Sequence, residues 1–172
     1  MCIAMASDLN IHELAAEVLR RYQQYGLKIR TAESCTAGGI AAALASVPGA
    51  SCVLDRGWIV YSNEAKQEEL AVAASTLARY GAVSREVVQA MAAGGLGDAS
   101  VAEATVCVAV SGIAGPDGGS VEKPVGTVWV ALDGGGYSAS QQCFSFSGDR
   151  AEVQMQTVMQ ALHGLLGHLN QG

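Results

Sequence analysis

Residues 105–110, Thr-Val-Cys-Val-Ala-Val, constrain this chain more than any other segment, because the run has neither charge nor polar–apolar alternation. A strand written this way is buried on both faces, which requires layers above and below its sheet. Neighbouring segments supply the partners. Residues 27–31 read as a short strand and residues 52–61 as a second, with Gly57 inside it. Residues 127–132 and 138–146 flank Asp133-Gly-Gly-Gly-Tyr137, the signature of a hairpin.

The helices announce themselves by caps and by period. Asn10 and Glu13 have capping-box spacing, Ile11, Leu14, Val18 and Tyr22 recur with helical period, and Gly26 suits the end. An Ala-rich helix follows the turn at residues 33–39 and stops before Pro48-Gly49. Ser62 caps a helix carrying Lys66 and Leu70, while Ser75 and Ser84 are expected as further N-caps, the last opening a helix to about Gly94. Asp149 starts a final helix through Val153, Met155, Val158, Leu162 and Leu165, a stripe that suits a core or a self-association surface equally. The resulting order, α-β-α-β-α-α-α-β-β-β-α, predicts an α/β protein with a mixed sheet covered on both faces. At 172 residues, with no repeat or linker, one domain over 1–172 is expected.

Composition narrows the function classes. Half the residues are apolar and 15% are charged, which excludes intrinsic disorder. With 29 Ala and 21 Gly against 5% aromatics, the core is built from small and branched side chains. Net charge is −6 and the lysines are only Lys28, Lys66 and Lys123, so a nucleic-acid partner is not expected. Five cysteines without a CxxC pair predict reduced thiols rather than a disulfide framework or a zinc site. Residues 1–6 are too short and lack the basic start of a signal peptide, and no apolar run reaches membrane-spanning length. A cytoplasmic protein without a membrane partner is the expectation.

Three segments are over-specified for mere connections: 31–39, 61–66 and 111–124. Each follows a strand, so the fold brings them to one rim, where open α/β sheets collect ligands. Ser34 lies in the first, followed by Cys-Thr-Ala-Gly-Gly. It is either a helix N-cap or a nucleophile beside free backbone N–H groups, with those of Thr36 to Gly38 placed to hold an oxyanion. A serine nucleophile needs a base. His12, His163 and His168 all sit on terminal helices, which leaves Lys66, either as a solvated charge or as a neutral amine brought far below the ordinary lysine pKa of about 10.4. Tyr61 would relay a proton or hold that amine. Cys35 is either a small buried hydrophobe or a rival nucleophile activated by a helix N-terminus. Glu33 is expected as a structural hydrogen-bond acceptor. The loop Gly112-Ile-Ala-Gly-Pro-Asp-Gly-Gly-Ser120 lacks Walker and dinucleotide spacing, so it is either an anion nest or an ordinary turn-rich connection. Lys123 and Arg150 are phosphate partners or surface charges.

At these residues the chain closely resembles the CinA C-terminal domain family, the nicotinamide-nucleotide amidases. The matching strings are Thr31-Ala-Glu-Ser-Cys-Thr-Ala-Gly-Gly39, Tyr61-Ser-Asn-Glu-Ala-Lys66, Tyr80-Gly-Ala-Val-Ser84, the glycine loop, Lys123-Pro-Val-Gly-Thr127 and Gly148-Asp-Arg150. The resemblance implies a three-layer α/β/α sandwich and hydrolysis of the carboxamide of nicotinamide mononucleotide to nicotinate mononucleotide and ammonia, within pyridine-nucleotide recycling. It implies a Ser/Lys mechanism without metal or cofactor: Ser34 as nucleophile, Lys66 as base, Tyr61 assisting. Substrate contacts then fall to Thr36, Gly38, Ser111, Gly112, Gly115, Gly118, Gly119 and Arg150. The rival expectation is a non-catalytic nucleotide-binding or regulatory module. Val-Ser111-Gly stands where the family pattern has Val-Thr-Gly, and residues 94–104 depart from that pattern in their charged residues. The expected chain is the stand-alone form, without the molybdopterin-binding-like domain of longer members.

Overall fold

The computed structural model describes residues 10–171; Cys2 and the rest of the apolar start at 1–6 lie outside the described residues. In chain order the elements are α1 (Ile11–Tyr25), β1 (Lys28–Glu33), α2 (Gly39–Ala45), a single 3-10 turn (Ala50–Cys52), β2 (Leu54–Ile59), α3 (Asn63–Leu70), α4 (Ala74–Tyr80), α5 (Arg85–Leu96), α6 (Ala99–Ala102), β3 (Thr105–Gly112), β4 (Thr127–Gly134), β5 (Tyr137–Ser145) and α7 (Arg150–His168). The five strands form one mixed sheet in the order β2-β1-β3-β4-β5. Strands β2, β1 and β3 run parallel, and β4 and β5 run antiparallel to their neighbours.

The register fixes where the chain leaves the sheet. Glu33 of β1 sits beside Ile59 of β2 on one side and Val110 of β3 on the other. Ser34, Val60-Tyr61 and Ser111 therefore emerge together at one edge.

Two apolar clusters lie on opposite faces. Leu14, Val18, Ile40, Leu44, Val108, Leu162 and Leu165 form one, under α1, α2 and α7. Val87, Val88, Met91, Leu70, Cys107 and Ala109 form the other, under α3, α4 and α5. Odd and even residues of β3 feed opposite clusters, as the uninterrupted run requires. Each fully buried Leu or Val of these clusters contributes roughly 1.5–3 kcal/mol of transfer free energy.

Local signals translate directly in several places. Asn10 and Asp149 each close a capping box, with Glu13 and Glu152. The β4–β5 turn is Gly135-Gly136, at φ 69° and 77°, the left-handed pair that a tight hairpin turn demands. Other expectations are corrected. Strand β2 is shorter than residues 52–61, because the backbone coils through Ala50–Cys52 and leaves the sheet after Ile59. Ser75 caps nothing: α4 starts one residue earlier behind Ala73, whose side chain offers no acceptor. Met155 is 49% exposed and outside the core stripe of α7, which runs through Val153, Val158, Leu162 and Leu165. No helix among the described residues is long and apolar enough to cross a membrane.

Candidate active site

Ser34 follows β1 directly and is not the N-cap of α2. Between it and the helix stands a turn, residues 34–38, in which Ala37 donates its N–H to the Ser34 carbonyl, and Gly38 takes the N-cap position with positive φ. The capping function passes to Glu33, fully buried. Its Oε2 accepts from Thr36 Oγ1 (2.6 Å) and from Ile40 N (3.0 Å), and its Oε1 accepts from Ala41 N (2.9 Å). Glu33 is the structural acceptor the sequence suggested.

Lys66 lies in the second turn of α3, which Ser62 caps by accepting the Ala65 N–H. Its amine turns inward, and the residue is 1% exposed. Nζ stands 3.0 Å from Ser34 Oγ, 2.8 Å from the Val60 carbonyl, 3.1 Å from that of Tyr61 and 3.4 Å from that of Ser62. No carboxylate among the described residues pairs with it. Burial holds its pKa below the ordinary lysine value, opposed in part by Cys35 and Glu64. A neutral amine has two donors and one lone pair: the Val60 and Tyr61 carbonyls take the donors, and the Ser34 hydroxyl is left to donate to the lone pair. The serine has its base within reach.

The side chain of Tyr61 does something else. It is 55% exposed, and its hydroxyl accepts from Arg150 Nη2, while its carbonyl is what holds the amine. In this structure the phenol bonds to Arg150 rather than to Lys66. Arg150, at the first position of α7, also donates from Nη1 to the Gly115 carbonyl (2.8 Å), tying the glycine loop to the β2–α3 connection.

A cavity of about 260 Å³ opens between these elements. Of the expected residues, Ser34, Lys66, Tyr61, Ser111, Gly112, Gly115, Gly118 and Arg150 line it. Thr36, Gly38 and Gly119 do not. Thr36 turns its hydroxyl to Glu33, and Gly119 packs under Val125. Lys123 does not line the cavity either, and its amine donates to the Tyr80 carbonyl (2.8 Å). Ser111 is 1% exposed and donates its hydroxyl to the Ala82 carbonyl, which pins the 81–84 connection as a cavity wall.

Sequence reasoning missed that wall, Ala82 and Val83, and the carboxylate of Asp117 at the loop. The Tyr80-Gly-Ala-Val-Ser84 string was the one signal for the wall. Cys35 also lines the cavity, but burial pushes its thiol up to about 12, so it is a hydrophobe rather than a thiolate nucleophile. Among the described residues no group of three or more His, Cys, Asp or Glu side chains is arranged to hold a metal ion.

Comparison with known proteins places the chain in a family. Residues 11–169 match the family model described as the CinA C-terminal domain. A nicotinamide-nucleotide amidohydrolase PncC of Enterobacter agglomerans is 48% identical over 163 residues, 93% of this chain and 96% of its own length. The protein of the same name from Escherichia coli K12 is 43% identical, over 92% and 94% of the two chains. Among solved structures, the CinA superfamily protein KP700603 of Klebsiella pneumoniae superposes with a TM-score of 0.88 at 40% identity, covering 95% of this chain and all of its own (100%). With family model, relatives of similar length and fold in agreement, the chain belongs to the CinA C-terminal domain family.

Proposed function

We propose that this protein is a serine amidohydrolase that cleaves the carboxamide of nicotinamide mononucleotide, as the names of its relatives state for them. The observation that carries the reading is the buried Lys66 amine, without a carboxylate partner among the described residues, at 3.0 Å from the Ser34 hydroxyl. Neutral Lys66 takes the hydroxyl proton as Ser34 Oγ bonds to the carboxamide carbon. The oxygen of that carbon takes the negative charge, and a backbone N–H of the turn after Ser34 stabilises it. Cys35 supplies the best-placed donor, because it lines the cavity and its N–H bonds to no carbonyl among the described residues, whereas Thr36 and Gly38 lie outside the cavity. The Lys66 ammonium then protonates the departing nitrogen, and ammonia leaves an acyl-serine. Water, deprotonated by the same amine, hydrolyses that ester and returns nicotinate mononucleotide.

The rest of the cavity suits the nucleotide. Ala82 and Val83 give an apolar wall for the pyridine ring. Arg150 keeps guanidinium donors free for phosphate, and beyond it the surface opens into a second hollow bounded by Pro116, Val125 and Gln154, where the far end of a nucleotide has room. The test is ammonia release from nicotinamide mononucleotide by the purified protein. Ser34→Ala and Lys66→Ala should each remove it, by at least about a hundredfold for the base. Undiminished release in either variant overturns that residue's role. Tight calorimetric binding without ammonia favours the regulatory module instead.

A further inference from the structure

Glu33 is a fully buried acidic side chain without a cationic partner among the described residues, one position before the nucleophile. A group of this kind is costly to bury unless each oxygen is satisfied. Both are satisfied, and all three of its donors come from the segment just beyond Ser34: the Thr36 hydroxyl, Ile40 N and Ala41 N. Two further contacts grip the same turn from outside. Ser34 N donates to the Val110 carbonyl (3.1 Å), and Gln154 Nε2 of α7 donates to the Cys35 carbonyl (2.8 Å).

We infer that Glu33 is a positioning residue for the amidase reaction, acting through Thr36 to hold the nucleophile turn. Its carboxylate occupies the first helical N–H groups of α2 and draws the Thr36 side chain inward. That fixes the backbone between Ser34 and the helix, and with it the direction of the Ser34 hydroxyl and of the Cys35 N–H. Thr36 thereby changes from the expected substrate contact to the pivot of this clamp. The inference rests on the proposed Ser34 chemistry, though not on which amide is the substrate.

Glu33→Gln is the informative change, because it keeps shape and alters only the donor–acceptor pattern. An amide has one acceptor oxygen. In either orientation its NH₂ group faces a backbone N–H, that of Ile40 or that of Ala41, so one of the clamp's hydrogen bonds becomes a repulsion. The measurement is the rate at which a fluorophosphonate modifies Ser34, followed by intact mass, beside kcat and KM for ammonia release. Glu33→Gln should slow labelling at least about tenfold while labelling still reaches one per chain, and should lower kcat with KM within about twofold and the pH midpoint unmoved. Thr36→Val should slow labelling in the same way, and Thr36→Ser, which keeps the hydroxyl, should recover most of the rate.

Labelling of Glu33→Gln within twofold of the unmodified protein overturns the inference. So does a loss confined to the fraction of chains labelled, the mark of a purely structural role. If Glu33→Gln fails to fold, the Thr36 pair decides: equal rates for the Val and Ser variants overturn it. Should the unmodified protein label normally at Ser34 yet release no ammonia from nicotinamide mononucleotide, the substrate reading fails while the labelling comparison still tests the clamp.

Discussion

Gly94 offers a test that links packing on one face of the sheet to chemistry at its edge. It lies inside α5, where α3 crosses it. A Cβ added there would sit 2.0 Å from the Leu70 carbonyl oxygen and 2.8 Å from its carbon, both backbone atoms that no rotamer change can move. A relaxed carbon–oxygen contact is about 3.3 Å, so Gly94→Ala must push α3 away by roughly 1.3 Å. Lys66 is four residues before Leu70 on that helix, about 6 Å along its axis, and moves with it. Overpacking of this kind costs about 1–3 kcal/mol, while replacing a helical glycine by alanine returns about 0.5–1 kcal/mol. The net expectation is a loss of up to about 2.5 kcal/mol, or a melting temperature lower by up to about 10 °C for a chain of this size. A base displaced by about 1 Å costs up to a hundredfold in rate, so kcat should fall about 10–100-fold with KM less affected. Gly167→Ala is the control: it is also helical, meets nothing within 4 Å and should stabilise by about 0.5–1 kcal/mol. Calorimetric melting and ammonia release read both variants. If Gly94→Ala melts higher, as the control should, and keeps its rate, the close α3–α5 crossing and its coupling to Lys66 are refuted.

Other consequences follow from the same contacts. Because burial lowers the Lys66 pKa, kcat/KM should rise with pH with its midpoint below the ordinary value of about 10.4. The folded state binds this proton less well than the unfolded chain, so stability should climb with pH from the lowered pKa up to about 10.4, and Lys66→Met should flatten that slope in melts taken across the window. Iodoacetamide at pH 8 should modify exposed Cys52 and spare Cys35, leaving activity intact; peptide mass mapping that finds Cys35 alkylated first would contradict its buried state. Arg150→Ala removes donors to Gly115 and Tyr61 and a cation for phosphate, so steady-state kinetics should show KM higher by tenfold or more with a smaller change in kcat.

Features that depend on neighbours in the chain are legible before folding. Asn10, Ser62, Ser84 and Asp149 cap helices because a side-chain oxygen reaches an N–H three residues on, a local geometry that local spacing reveals. The two central glycines of the β4–β5 turn and the unbroken apolar run of β3 are legible for the same reason. Strand ends were legible to within a few residues, enough to bring Ser34, Tyr61 and Ser111 to one edge. Packing sets which of those groups turn inward. The amine of Lys66 is enclosed by the Ser34 hydroxyl beyond β1 and the Val60, Tyr61 and Ser62 carbonyls beyond β2, and no local pattern separates it from a solvated lysine. The phenol of Tyr61 goes to Arg150, a partner 89 residues away that no local spacing announces. Ser75 has the residue type of a cap, but α4 starts at Ala74, so Ser75 lies inside the helix. Hydrogen bonding between near neighbours is written in the sequence; burial, and the proton affinity it sets, belongs to the packed whole.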